Sequence, residues 1–166
     1  MKSLNDLFIH FLKDVYYAER QLVQALPKMA DAAQAPELKQ AFTEHREETV
    51  RHTERLEQVF ERLGIPAKAV VCEAIKGLIE EGEEVIKGSE PGPVRDAGLV
   101  ACGQAVEHYE IARYGALIAW SEASDHHDVA TLLRRTLDEE KKADKLLNEL
   151  ATSRINRSAA ATAKGA

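Results

Sequence analysis

The chain has little cysteine. Cys72 and Cys102 are its only thiols and lie far from any CxxC spacing, which excludes a disulfide framework, a zinc ribbon and a rubredoxin-type iron site. Both read as small buried apolar residues on helices. A dense Lys/Arg run with interleaved aromatics is also missing. The 22 basic and 28 acidic side chains are interspersed and the net charge is −6, so a nucleic-acid surface has little support. No apolar run approaches the length of a membrane span, and Met1-Lys2-Ser3-Leu4-Asn5-Asp6 lacks the apolar segment of a signal peptide. These absences point to a cytoplasmic protein that engages neither membrane nor nucleic acid. With 166 residues, 45% of them hydrophobic, the chain suits one domain able to bury its core without covalent staples.

What is present is helical periodicity. Ser3 followed by Asp6 reads as a capping box with Asp in place of Glu, and Leu4, Leu7, Phe8, Phe11, Val15, Ala18, Leu22, Leu26 and Met29 follow the helical period over residues 4–31. Pro27 should kink or loosen the last turns. After a break at 32–35, Pro36 opens a second helix that runs to Gly64, so the two form an antiparallel hairpin. The stretch from Gly64-Ile65-Pro66 to Glu90-Pro91-Gly92-Pro93 is long for a simple connection, and Cys72, Ile75, Leu78, Ile79, Val85 and Ile86 recur in it at helical spacing. It predicts a short accessory helix that crosses from one hairpin to the next. A third long helix spans 94–123, with Leu99, Cys102, Gly103, Val106, Glu110, Leu117 and Trp120 inward. A fourth follows the Ser124-Asp125-His126-His127 turn and ends near Thr152, with Leu133, Leu137, Glu140, Asp144 and Leu147 inward. The predicted fold is all-α: a four-helix bundle with a crossover connection over residues 1–152, then a disordered Ala/Ser/Thr/Lys-rich tail over 153–166.

The inward stripe of the second helix, read as Leu38, Phe42, His45, Glu48, His52, Leu56, Val59 and Leu63, is polar at its centre. The two hairpins look like repeats. Setting the first long helix on the third pairs Phe8 with Leu99, Val15 with Val106 and Glu19 with Glu110. Setting the second on the fourth pairs Glu48 with Glu140 and His52 with Asp144. Residues equally far from their turns stand side by side in antiparallel helices. Four helices thus converge on Glu19, Glu48 with His52, Glu110, and Glu140 with Asp144, with His45 and Glu107 one turn away.

Such a set suits two transition-metal ions, Fe or Mn, because these take carboxylate and imidazole together and carboxylates bridge neighbouring ions. The competing reading is structural, with Arg51, Arg55 or Arg113 neutralising the acids. Against it stands the cost of burying so many carboxylates without a cation, several kcal/mol for each unpaired charge. His108, His126 and His127 read as surface residues. Tyr16, Tyr17, Tyr109 and Tyr114 read as packing, although one beside the metals can donate a hydrogen bond or an electron.

The runs Asp14-Val15-Tyr16-Tyr17-Ala18-Glu19 and Glu48-Thr49-Val50-Arg51-His52-Thr53-Glu54-Arg55-Leu56, and Glu139-Glu140 followed by Asp144, resemble the stress-induced YciE/YciF-like family of the ferritin-like superfamily, over about residues 3–152. That resemblance implies a four-helix bundle with a crossover helix, a homodimer, and a rubrerythrin-like dinuclear centre with Glu19, Glu48, His52, Glu110, Glu140 and Asp144 as ligands. The chain departs from the wider superfamily in two ways. Glu48 and His52 are four residues apart where Glu-x-x-His is usual, and Asp144 stands where a second His is expected, which makes the site richer in oxygen. The expected activity is stress-related redox chemistry on dioxygen or peroxide, with a separate electron donor because the chain has no CxxC module. The alternative is a non-enzymatic helical stress protein that binds a partner or sequesters metal. An iron-storage cage is disfavoured, since nothing in the sequence dictates a large shell.

Overall fold

The first helix, α1 (Leu4–Ala32), begins where Ser3 and Asp6 satisfy each other's exposed amides: the Asp6 N–H donates to Ser3 Oγ at 3.0 Å, and the Ser3 N–H donates to Asp6 Oδ2 at 3.2 Å. The computed structural model of the chain describes residues 1–162. α1 continues past Pro27 to Ala32 as one helix. α2 (Pro36–Arg62) has its proline in the first turn, where the missing amide costs nothing. It is closed by Gly64, whose φ of 65° lets the Ile65 N–H reach the Phe60 carbonyl at 3.1 Å. The α1–α2 turn carries no capping side chain of its own. The buried Asp96 carboxylate supplies one, accepting the Gln34 and Ala35 N–H groups at 2.8 Å each.

An extended link leads to α3 (Glu73–Gly88), where Cys72 Sγ accepts the Ile75 N–H at 3.4 Å. α4 (Pro93–Ala123) and α5 (His127–Leu150) form the second hairpin, turning at Asp125 with φ 59°. α1 packs on α2, α4 on α5, α2 on α5 and α1 on α4, which closes a four-helix bundle, and α3 lies across α1 and α4 as the crossover. The predicted fold class is the one observed.

The chain end differs from expectation. Disorder was predicted from residue 153, yet α5 passes into a π-helical turn (Ala151–Ile155) and then α6 (Asn156–Thr162), which packs on α4. Ala151 and Ile155 continue the inward stripe of Leu147 into the core, and Arg154 Nη1 pairs with Glu37 Oε1 at 2.7 Å. Alanine gives almost no periodic hydrophobic signal, although it is the best helix former, so one isoleucine carries the segment's burial. The remainder of the predicted tail, 163–166, lies outside the described residues.

The apolar core has two compartments. Phe8, Leu12, Val15, Leu56, Phe60 and Leu133 belong to one, and Leu22, Leu26, Phe42, Leu99, Val106 and Leu147 to the other. Gly103 permits a close approach in the second compartment, since a Cβ there would stand 3.0 Å from Leu147 Cδ1 and 3.2 Å from Phe42 Cε1. Trp120 and Leu137, both expected inward, are only half-buried at the edge of the first, where Trp120 meets Phe11 at 5.7 Å between ring centroids. On every long helix the apolar stripe is interrupted between the compartments, and polar side chains fill the gap.

Asp96→Ala is expected to lower the unfolding free energy by about 2 kcal/mol or more, because two amides lose a charged acceptor. A shift in the urea midpoint at unchanged slope measures it, and an unshifted midpoint would contradict the capping role.

Candidate metal centre

The polar layer is built from six buried side chains: Glu19 of α1, His45 and His52 of α2, Glu107 and Glu110 of α4, and Glu140 of α5. His45 and His52 are two turns apart on one stripe of α2, and Glu107 and Glu110 share a face of α4. Glu19, His52, Glu110 and Glu140 are fully enclosed, each 0% exposed.

Their donor atoms fall into two groups. His45, Glu107, Glu110 and Glu140 each offer an atom within 4.8 Å of the others, and so do Glu19, His52 and Glu140. Glu140 belongs to both. Its Oε1 lies 2.9 Å from His52 Nδ1, and its Oε2 lies 3.7 Å from His45 Nε2. His52 Nδ1 is also 3.4 Å from Glu19 Oε1, and His45 Nε2 is 3.1 Å from Glu107 Oε1.

These distances suit ion pairs, yet the atoms are not aligned as hydrogen bonds. Glu19 Oε2, Glu107 Oε2, both oxygens of Glu110 and of Glu140, His45 Nε2 and His52 Nδ1 are all buried with no hydrogen-bond partner. Buried polar atoms are nearly always satisfied, so this concentration of orphans marks atoms aimed at common points rather than at one another. A mixed carboxylate and imidazole set converging on two such points fits hard or borderline cations.

An outer layer holds the inner one. Glu139 Oε2 stands 2.9 Å from His52 Nε2, and Arg55 Nη1 fixes that carboxylate at 2.8 Å while donating to Thr136 Oγ1 at 2.6 Å. Glu48 Oε2 stands 3.5 Å from His45 Nδ1. Each imidazole therefore keeps one nitrogen against an outer carboxylate and turns the other inward. The Tyr114 hydroxyl, itself buried, donates to Glu19 Oε1 at 2.5 Å.

Charge crowding shows in the titration of these groups. Burial, and then Glu19, Glu140 and Glu107, push the Glu110 carboxyl well above the usual range. Burial lifts Glu140 to about 8; the His52 imidazole beside it pulls against this while Glu107 and Glu19 add to it. Burial opposes charge on His52, but Glu19 and Glu140 outweigh it and raise the imidazole to about 10. His45 is raised well above the ordinary value in the same way, with burial overcome chiefly by Glu107. The outer carboxylates go the other way: His45 lowers Glu48, and Arg55 lowers Glu139 against its burial.

Of the residues read from the sequence, Glu19, His52, Glu110 and Glu140 meet in this layer, and His45 and Glu107, expected one turn away, are full members of it. Glu48 and Asp144 are not among the converging groups. The Glu48 side chain is 35% exposed, and Thr49 points inward in its place, with its hydroxyl on the His45 carbonyl at 2.8 Å. The buried stripe of α2 alternates steps of four and three through Leu38, Phe42, His45, Thr49, His52, Leu56 and Val59, which leaves Glu48 at its edge. Asp144 is turned to the α4 side, accepting from Gln104 Nε2 at 3.2 Å and lying 3.1 Å from His108 Nε2. Sequence reasoning missed Glu139 as the support for His52. Its place directly before Glu140, across from Arg55, was the available signal.

An all-α bundle whose long helices turn acids and imidazoles into one buried layer is a ferritin-like protein with a candidate carboxylate–histidine metal centre. The chain belongs to the family described as "Domain of unknown function (DUF892)", which it matches over residues 3–160. It is 47% identical over 160 residues to Protein YciF of Escherichia coli strain K12, covering 96% of each chain. The crystal structure of the E. coli stress protein YciF superposes with a TM-score of 0.90, covering 94% of this chain and 99% of that one at 47% identity. YcfI from Rhodopseudomonas palustris gives a TM-score of 0.87 at 49% identity, covering 89% and 94%. A protein from Xanthomonas campestris pv. campestris, 21% identical with a TM-score of 0.74 over 91% and 93% of the two chains, shares the fold. The family resemblance carried by the sequence motifs is thus shown. Among the described residues no helix is long and apolar enough to cross a membrane.

Glu140, Glu110 and His52 all hold their protons more tightly in the fold than their ordinary values allow, so the metal-free fold gains stability at low pH and loses it as these groups ionise or deprotonate. Thermal melting of metal-free protein is expected to fall steadily between about pH 6 and about pH 9. A melting temperature that rises across that interval would contradict the crowding.

Proposed function

We propose that this protein is a dinuclear carboxylate protein that holds two Fe or Mn ions and acts in stress-related redox chemistry on dioxygen or peroxide. The observation that carries the proposal is the sharing of Glu140 between two groups of buried donors that lack partners. Bound there, two such ions supply one-electron redox steps and Lewis acidity toward an oxygen substrate.

The residues have separable duties. Glu19 and His52 would hold one ion, His45, Glu107 and Glu110 the other, and Glu140 would serve both. Glu139, anchored by Arg55, accepts a hydrogen bond from the His52 Nε2–H and so keeps Nδ1 available inward. Glu48 does the same for His45 more loosely. Tyr114 orients Glu19 through its hydroxyl proton. The apolar compartments above and below the layer keep bulk water from it. Neither cysteine is paired or placed to pass electrons as a CxxC module, so a separate donor completes the reading. A stress role follows the description of the E. coli relative, and assembly as a homodimer follows the family resemblance.

Neutralisation of the acids by arginine has less support. Arg55 engages Glu139, Arg51 lies 3.8 Å from the half-exposed Glu48, and Arg113 sits 4.3 Å above the Phe11 ring. Among the described residues, the ion pairs of Glu19, Glu107 and Glu140 are with histidine alone.

Protein purified from cells grown with Fe and Mn is expected to carry close to two transition-metal ions per chain. Glu140→Ala is expected to lose both, because it removes a ligand common to the two groups. Metal-reduced wild type is expected to consume peroxide in stopped-flow mixing. Wild type that purifies without transition metal under either supplement would overturn the centre, and loaded protein inert to dioxygen and peroxide would reduce it to sequestration.

A further inference from the structure

We propose that the groove between α2 and α5 is the route by which cations reach the centre, with Glu48 receiving them at the mouth and Lys142 opposing their approach. This rests on the metal-centre reading above. The groove encloses about 130 Å³, and Glu48, His45, Glu107, Lys142 and Ala143 are among the side chains that line it. At roughly 30 Å³ per liquid water, it has room for about four, enough for a partly hydrated ion.

Exposure falls stepwise along this line. The side chains of Glu48, His45, Glu107 and Glu140 are 35%, 7%, 3% and 0% exposed. Successive polar atoms stay close: Glu48 Oε2 to His45 Nδ1 is 3.5 Å, and His45 Nε2 to Glu107 Oε1 is 3.1 Å. A cation moving inward meets an oxygen or nitrogen donor at each step of this series. Glu107 Oε2 and His45 Nε2, both buried and without hydrogen-bond partners, await it at the inner end.

Farther along the same α2–α5 seam the way is closed. There the Arg55 guanidinium lies over Glu139 and Thr136, placing positive charge and a hydrogen-bonded plug in front of His52. The route gives Glu48 a second role beside its support of His45 Nδ1.

Metal-free full-length protein is mixed with Co(II) alone, uptake is followed by stopped-flow absorbance, and final stoichiometry is measured by elemental analysis. Ala143→Phe, which fills the groove, is expected to slow uptake on the order of tenfold, the low end of what a charge-lined cleft contributes to an on-rate, and to reach the wild-type endpoint. Lys142→Glu is expected to speed uptake about fivefold at low ionic strength, with the gain shrinking as salt is added. Lys142 is exposed, so this variant decides the matter by itself if Ala143→Phe loses its helical circular dichroism. Wild-type rates with full endpoints in the folded variants would overturn the groove as the route and leave the centre standing. Wild type that takes up no Co(II) would overturn the centre, and the route with it.

Discussion

The constraint on which the structure depends is the cost of enclosing carboxylates. Glu19, Glu107, Glu110 and Glu140 stand in the middle of a bundle whose interior otherwise excludes water. Each would cost several kcal/mol as an unpaired anion. Two imidazoles offset part of that charge, and protons offset more, as the upward shifts of Glu110 and Glu140 register. Neither remedy gives the oxygens hydrogen-bond partners. A multiply charged ion would do both at once, neutralising the charge and occupying the lone pairs, and the sharing of Glu140 between two groups supports the proposal of two ions.

The frame around the layer serves that arrangement. Two apolar compartments bind the four long helices above and below it, so the helices hold their levels without help from the polar residues themselves. The close approach at Gly103 and the Asp96 clamp on the α1–α2 turn fix α4 against α1 and α2, which keeps Glu107 and Glu110 opposite His45 and Glu19. The outer carboxylates add orientation: Glu139, held by Arg55, is tightly placed on His52, whereas Glu48 is looser and wetter beside His45. The two halves of the centre are therefore unequal, one sealed and one facing a groove.

Much of this was legible in the sequence because long helices with strong apolar stripes announce their inward faces. The capping box at Ser3, Pro36 at a helix start, the crossover helix and the repeat that matched Glu19 to Glu110 all follow from spacing alone. What spacing leaves undecided is a choice between neighbours. Steps of three and four are both helical, so Glu48 and Thr49 were equally admissible after His45, and the strict alternation through Leu38 and Phe42 favours Thr49. Asp144 was paired with His52 by the repeat, but local partners in Gln104 and His108 draw it aside. Contacts distant in sequence were out of reach, among them Asp96 on the turn. The burial of Ile155 was hidden in a segment too rich in alanine to show a stripe.

The most direct test of the central claim is anomalous diffraction from crystals grown with Fe or Mn, with data collected above and below the metal's absorption edge. The account predicts two edge-dependent peaks in the layer between the apolar compartments, one among His45, Glu107 and Glu110, the other between Glu19 and His52, with Glu140 reaching both. A layer filled by water and protonated carboxyls, with no anomalous signal from crystals saturated with metal, would contradict it.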